Sequence, residues 1–468
     1  MRVLVVGHAF FPESHTGTET MMLRLARHLR EFGCDVAVLA PHAGKKLPGS
    51  DSLLYRESFE GLPVFRLVRP APAGNFEHEY FFSLKDASLA RIYEDLMEDF
   101  RPDVVHILHL MWVTGEVVQS AKKYGARIFY TPTDFWPMCP TYQLLNWKKQ
   151  QCQQHTAADC RDCYVAERFR VQRRGVKMLV KAVRRNRMIA RVPDFEPIMQ
   201  ERDRYFACLF AMIDMVVPPN EFMKRMMIKS GYVRDDVPVI GFGAPVHDEQ
   251  LHPPSGKIPN KQGKIRVGYC GTIHPSKGLH VLVEAIEKDP GVCDVLEFDL
   301  YGSIQDMAYF EDLKGRIGRL NAVRYCGVFA SSEANQIIRN LDLLVVPSIW
   351  HENTPLIAYT ALYNKTPLIC SASEGLVDIV RRHHGGVFFA PGDSSELVSI
   401  LQSVARDTAL PCRWSNQIVD VKTSRDFAGE YYELYKAVIV AEPVAAGAGA
   451  ELMSGSITGR VNPDMCER

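Results

Sequence analysis

Residues 266–288, RVGYCGTIHPSKGLHVLVEAIEK, constrain the fold more than any other stretch of this chain. An apolar run over 266–270 ends at Gly271 and turns through 272–277. From Gly278 onward Leu279, Leu282, Val283 and Ile286 recur at helical spacing. Strand, short loop and helix in that order make one unit of a helix-covered parallel sheet. The loop suits phosphate: Gly lets the backbone approach a ligand, free N–H groups gather at the helix start, and Lys277 brings a mobile positive charge. The Walker pattern G-x-x-x-x-G-K-S/T is absent. Taken alone, such a loop is equally a plain βα connection.

A second half-site lies at 345–368, VVPSIWHENTPLIAYTALYNKTPL. A strand ends at Pro347, a loop carries Glu352, and a helix opens near Thr354 and Pro355, both good start residues. A carboxylate beside a helix N-terminus can accept hydrogen bonds from hydroxyls. Together the two loops offer N–H dipoles, an ammonium and a carboxylate, the equipment for a nucleoside diphosphate sugar.

The same strand–helix rhythm runs through the whole chain. Strands are expected at 2–6, 35–40, 103–108 and 127–130, with helices at 18–31, stopped by Gly33, and at 116–124. A second series has strands at 265–270, 295–300, 323–326, 343–346 and 367–370. The Pro-, Gly- and Lys-rich segment 246–263 reads as a linker. The chain therefore divides into an N-terminal Rossmann-like domain at 1–245 and a C-terminal one at 264–424. A helix at 425–440 packs back on the body, and an Ala/Gly/Ser-rich tail at 441–468 has the composition of a disordered segment. With 468 residues and 47% hydrophobic content, two substantial cores can be buried.

The two loop segments resemble retaining glycosyltransferases of family 4, which have the GT-B architecture: two Rossmann-like domains with parallel sheets facing across a cleft. The resemblance extends through VLVVGHAFFPESHTGTETMMLRLARHLREFGCDVAVLA in the first domain, up to about residue 440. It implies that Gly17, Gly271, Thr272, Lys277, Glu352, Asn353, Thr354, Pro355, Leu356, Thr360 and Gly375 bind the donor. Glu352 matches the first of the family's paired glutamates, near the transferred sugar. The second, which holds the ribose, is Thr360 here. Thr272 stands where many members have Arg, leaving more of the charge to Lys277. One of two usual glycines is replaced by Glu374, and only Gly375 remains.

The acceptor site is expected between the domains, where open α/β sheets place ligands at strand ends. DVVHILH at 103–109 and YTPTDFWPMC at 130–139 end strands with polar residues. The second resembles a branch of the family with His-Asp before an aromatic pair. Thr133 replaces that His, so Asp134 carries over and His109 is a candidate to supply the imidazole. His109 is equally a structural donor at a strand end. The catalytic set the resemblance implies is Glu352, Lys277, His109 and Asp134.

Cys139, Cys152, Cys160 and Cys163 are spaced for a tetrahedral Cys₄ site, in a polar segment with little core of its own. The same branch of the family has similar cysteines. A structural zinc ion is expected, with free thiols, an iron–sulfur cluster or a regulatory disulfide as alternatives. No cofactor is expected for catalysis. Residues 166–192 follow with ten Lys/Arg against Glu167, in helical spacing at Arg170, Arg173, Lys177, Lys181 and Arg184. Such a basic amphipathic helix reads as a contact to an anionic membrane surface; a solvated helix or a site for an acidic polymer are its alternatives.

Lys+Arg and Asp+Glu number 55 each, so the composition gives no bias toward nucleic acid. Without an apolar leader or an apolar run of spanning length, the expected location is cytoplasmic, with peripheral attachment to the membrane's inner face. The expected function is transfer of a sugar from a nucleoside diphosphate donor to a glycan or lipid-linked acceptor, in surface polysaccharide or glycolipid synthesis. The alternative is a non-catalytic GT-B subunit that binds a partner transferase or the membrane. An NAD-dependent oxidoreductase is excluded, since GHAFFPESHTG stands where G-x-G-x-x-G would follow the first strand.

Overall fold

The computed structural model describes residues 1–42, 51–70, 81, 83–148, 150–152, 156–168, 195–246, 263–419 and 421–440. The expected linker at 246–263, apart from its two ends, lies outside these residues. So do the tail at 441–468 and most of the basic segment at 166–192, of which only the end of helix Ala157–Arg168 is described.

The first sheet contains β1 (Arg2–Val6), β2 (Asp35–Pro41), β3 (Leu53–Phe59), β4 (Leu62–Val68), β5 (Val104–Ile107), β6 (Arg127–Tyr130) and β7 (Met215–Val216). Their order is β3-β4-β2-β1-β5-β6-β7, parallel throughout except for the β3–β4 hairpin. The second sheet contains β8 (Ile265–Cys270), β9 (Leu296–Tyr301), β10 (Val323–Gly327), β11 (Leu343–Val346), β12 (Leu368–Ser371) and β13 (Gly386–Phe389). It is parallel, in the order β10-β9-β8-β11-β12-β13. The interior strands β1 and β11 carry the apolar runs VLVV and LLVV, and β5 is interrupted only by buried His106, because helices cover both faces of each sheet.

Local chemistry sets the first turn of the fold. Helix Gly17–Glu31 starts from Thr16, which shares a capping box with Glu19. The chain leaves it through Gly33 at φ +85°, a conformation that costs a glycine nothing. The β3–β4 hairpin and β13 were not expected from sequence. Between β3 and β4 the pair Glu60-Gly61 takes φ +48° and +77°, as a two-residue hairpin turn requires.

Helix Ser424–Val440 returns to the first half. It packs on helix Gly17–Glu31, where His28 Nε2 lies 3.2 Å from Ser424 Oγ. Phe427, Tyr431 and Tyr435 join a core that includes Val3, Val5 and Met22 from the first half and Tyr359 and Leu362 from the second. Buried His106 bonds Thr131 Oγ1 through Nε2 at 2.8 Å and the Tyr435 hydroxyl through Nδ1. Burial pushes its pKa down to about 3. Among the described residues no helix is long and apolar enough to cross a membrane.

Candidate functional site

On the C-terminal side, two loops are locked together by contacts too close for any side chain but hydrogen. Gly278, at φ +71°, follows the short 3₁₀ turn Pro275–Lys277 and precedes helix Leu279–Lys288. A Cβ on it would meet the Pro347 carbonyl oxygen at 1.8 Å. The Ile349 amide donates to Ser276 O at 2.9 Å across the same seam. Thus the loop after β8 and the loop after β11 form one wall.

That wall carries the charge pair. Lys277 Nζ is 2.7 Å from Glu352 Oε1 and lies 4.5 Å over the Trp350 ring. Ser348 Oγ donates to the same Glu352 oxygen. Glu352 is buried, so the ammonium and the hydroxyl replace its lost hydration. Around it, three buried polar atoms have no hydrogen-bond partner among the described residues: Trp350 Nε1, His351 Nδ1 and Ser373 Oγ. Each such orphan costs about 1–3 kcal/mol, which a ligand with hydroxyl and phosphate groups can recover. Sequence reasoning had not singled these three out; their only signal was proximity to Glu352 and Gly375.

The other expected donor residues fall into place unevenly. Gly17 faces open space, and Gly271 and Thr272 open the loop after β8. Gly375 is required by packing: a Cβ there would approach the carbonyl oxygens of Glu352 and Asn353 at 2.0 and 2.3 Å. Asn353 and Thr354 are engaged across the cleft. Asn220 Nδ2 donates to Asn353 Oδ1 at 3.0 Å and Thr354 Oγ1 at 3.1 Å, while Asn353 Nδ2 donates to Pro132 O at 3.1 Å. Their side chains join the two halves. Pro355 caps helix Leu356–Tyr363, which Leu356 begins. Thr360 Oγ1 donates back to Leu356 O at 2.9 Å, so the hydroxyl that replaces the family's second Glu is spent inside its own helix. Glu374 turns away from the wall and pairs with Arg225 of helix Glu221–Lys229.

On the N-terminal side, the ends of β1, β5 and β6 meet the start of helix Gly17–Glu31. His109 Nε2 lies 3.0 Å from Asp134 Oδ2, and the Met111 amide donates to His109 Nδ1 at 3.1 Å. Nδ1 therefore accepts, the proton sits on Nε2, and both nitrogens are occupied. Burial alone would raise the Asp134 carboxyl, but His109, the Trp136 amide and His8 together outweigh it and hold the pKa below its ordinary value. His109 was expected to meet the acceptor. Its side chain is 1% exposed, so it has neither a free nitrogen nor an open face. His8 packs on it with ring centroids 4.3 Å apart, and Trp136 lies on it at 5.1 Å.

This cluster is continuous with the wall that bears Glu352. Phe135 and Phe222 both contact the His351 ring, at 6.3 and 5.2 Å. The cleft therefore presents an ammonium–carboxylate pair from one sheet and, from the other, the imidazole–carboxylate pair His109–Asp134 with the His8 ring beside it. This arrangement can hold a diphosphate and hydroxyl groups at once.

Residues 255–419 match the family model described as Glycosyl transferases group 1, and residues 16–162 match that of the Glycosyl transferase 4-like domain. The chain belongs to the group 1 glycosyl transferases of GT-B fold. Sequence relatives are distant. An uncharacterized 42.6 kDa protein of the cps region of Klebsiella pneumoniae is 26% identical over 151 residues, covering 31% of this chain and 39% of that protein. D-inositol 3-phosphate glycosyltransferase of Stackebrandtia nassauensis is 25% identical over 163 residues, 33% of this chain and 37% of the relative. The matched stretch thus spans under half the length of these relatives. Among solved structures, Anabaena HepE in complex with UDP superposes with a TM-score of 0.62 at 14% identity, over 93% of this chain and 100% of that one. Sucrose-phosphate synthase of Thermosynechococcus elongatus gives 0.61 at 14%, over 94% and 100%. At these identities the superpositions establish the GT-B fold.

The four cysteines lie apart from the cleft. Cys139, Cys152, Cys160 and Cys163 form no disulfide and line one cavity of about 290 Å³, with Trp147 and Asp159. Burial, with the neighbouring sulfurs, pushes Cys160 well up, and burial pushes Cys163 up to about 12. Among the described residues no three His, Cys, Asp or Glu side chains are already grouped as an ion requires.

Proposed function

We propose that this protein is a retaining glycosyltransferase that moves a sugar from a nucleoside diphosphate sugar to a glycan or lipid-linked acceptor. The observation that carries the reading is the pair of half-buried Lys277 with buried Glu352, with unpartnered Trp350, His351 and Ser373 atoms around it. A donor diphosphate would draw Lys277 away from Glu352, freeing the carboxylate to accept hydrogen bonds from the sugar hydroxyls. The bond between the anomeric carbon and the β-phosphate oxygen then breaks on the face where the acceptor oxygen bonds. The acceptor's proton passes to the departing diphosphate, whose charge Lys277 and the loop amides offset. No protein nucleophile takes part.

A thermal-shift screen against UDP, GDP, ADP, CMP, dTDP and their sugar conjugates tests this. Stabilisation by one nucleotide series supports the donor cleft and names its base. Glu352→Ala is expected to abolish transfer in a folded protein, and unchanged turnover would sink the assignment. Thr360 favours a second reading, a non-catalytic GT-B subunit, because its hydroxyl is committed to Leu356. No shift with any nucleotide would favour that reading.

The four thiols are proposed to hold a structural zinc ion, an iron–sulfur cluster being the alternative. All are uncommitted to disulfides around one cavity, and thiolates are soft ligands. An ion would draw the sulfurs together, and metal analysis of the purified protein decides. Residues 166–192 are proposed to rest on an anionic membrane, which places the protein in the cytoplasm at the inner face. Flotation with vesicles of mixed anionic and neutral lipid tests this.

A further inference from the structure

His8 differs from its neighbour His109 in every respect that bears on substrate contact. Its side chain is 24% exposed, against 1% for His109. Its Nδ1 is itself buried and has no hydrogen-bond partner among the described residues, whereas both His109 nitrogens are taken. Its Nε2 faces Glu19 Oε1 at 3.6 Å, and Glu19 is fully buried. Glu19 is itself oriented: Oε2 accepts from the Thr16 amide at 2.7 Å and from the Thr16 hydroxyl at 2.5 Å. Oε1 is left without a hydrogen bond, one small displacement from the His8 ring. A carboxylate on Nε2 keeps the proton there and leaves the Nδ1 lone pair available, the way a second residue fixes an imidazole tautomer. Burial and the adjacent His109, against the pull of Glu19 and Asp134, push the His8 pKa down to about 4, so the ring is neutral near pH 7.

We propose that His8 is the imidazole that meets substrate in this cleft, accepting a hydrogen bond at Nδ1 from a sugar hydroxyl of the acceptor, with Glu19 as its positioning residue. His8 sits just past the end of β1, where open α/β sheets place their ligands. A neutral ring with a spare lone pair selects a hydroxyl donor rather than an anion. The structure then contains two imidazole–carboxylate pairs in series. Asp134–His109 supports the stack from behind, and Glu19–His8 presents it. The inference rests on the glycosyltransferase reading.

The test compares His8→Ala, His8→Asn, Glu19→Gln and Glu19→Asp. The readouts are nucleoside diphosphate release with p-nitrophenyl glucosides, galactosides and mannosides as acceptors, the nucleotide thermal shift, and nitrogen-15 spectra of the labelled imidazoles. His8→Ala is expected to raise the acceptor KM, lowering kcat/KM about tenfold or more, with the nucleotide shift unchanged. His8→Asn, which keeps an acceptor atom near Nδ1, recovers much of the loss and carries the test if the alanine variant does not fold. Glu19→Gln shows the same loss and removes the Nε2–H signature of His8, and Glu19→Asp restores both. The nitrogen-15 readout needs no acceptor. Wild-type acceptor kinetics in His8→Ala, or an Nδ1–H tautomer for His8 in the native protein, overturns the proposal while the nucleotide shift leaves the glycosyltransferase reading standing. A native protein that binds no nucleotide overturns both.

Discussion

The two walls of the cleft are built on different plans. The C-terminal wall takes its chemistry from two short loops, 271–278 and 347–354, held by glycines against carbonyl oxygens. The N-terminal wall assembles His8, Glu19, His109 and Asp134 from three strand ends and a helix start. The first wall is charged and self-neutralised; in the second, His8 is held neutral by burial and the adjacent His109. A site for a diphosphate needs mobile charge, while a site for hydroxyl groups needs fixed lone pairs and donors.

The sharpest way to break this contrast is through charge. Lys277→Ala should lower kcat by about 10²–10³, as loss of one stabiliser of leaving-group charge does, measured as nucleotide release. If instead only the donor KM changed, the ammonium would serve binding alone. Next comes the seam that holds the wall. Gly278→Ala adds a Cβ that would overlap Pro347 O in a left-handed backbone, so a loss of about 3 kcal/mol or more is expected in urea unfolding. Thr360→Glu offers a gain: a carboxylate in place of a hydroxyl bound to its own helix should tighten nucleotide binding about tenfold, read by calorimetry.

The first sheet should also respond to acid. His106 and His8 have folded pKa values of about 3 and 4, below the ordinary 6.5. The unfolded chain therefore binds more protons between these values, and stability falls as pH drops from about 6.5 toward 3. His106→Gln should flatten that slope in urea unfolding followed at each pH. The smallest effect is expected at Arg225–Glu374, whose side chains are more than half exposed. Arg225→Ala should cost no more than about 1 kcal/mol, and less in high salt.

The same contrast explains what could be read from sequence. The C-terminal wall was legible because its residues lie within a few positions of one another: strand, Gly271, Lys277 and helix, then Glu352 ahead of Pro355. Strand and helix rhythm likewise located most of both sheets. The β3–β4 hairpin was missed although Glu60-Gly61 is a turn pair, because an antiparallel hairpin broke the expected alternation. On the N-terminal wall, two imidazoles were equally near strand ends in the sequence. Only hydrogen-bond geometry distinguishes His109, with both nitrogens occupied, from His8, with one free. Spacing alone does not show that Glu374 is drawn off by Arg225 or that Thr360 bonds Leu356, because both depend on side-chain rotamers.

The return of helix Ser424–Val440 has a consequence for how the protein is made. Tyr431 and Tyr435 close the core over His106 and Thr131, some 300 residues earlier in the sequence. The first sheet must therefore wait, with part of its apolar surface uncovered, until helix Ser424–Val440 has been translated. A fragment ending before residue 424 is expected to bind hydrophobic dyes and to be cut quickly by protease, whereas the chain through residue 440 resists both.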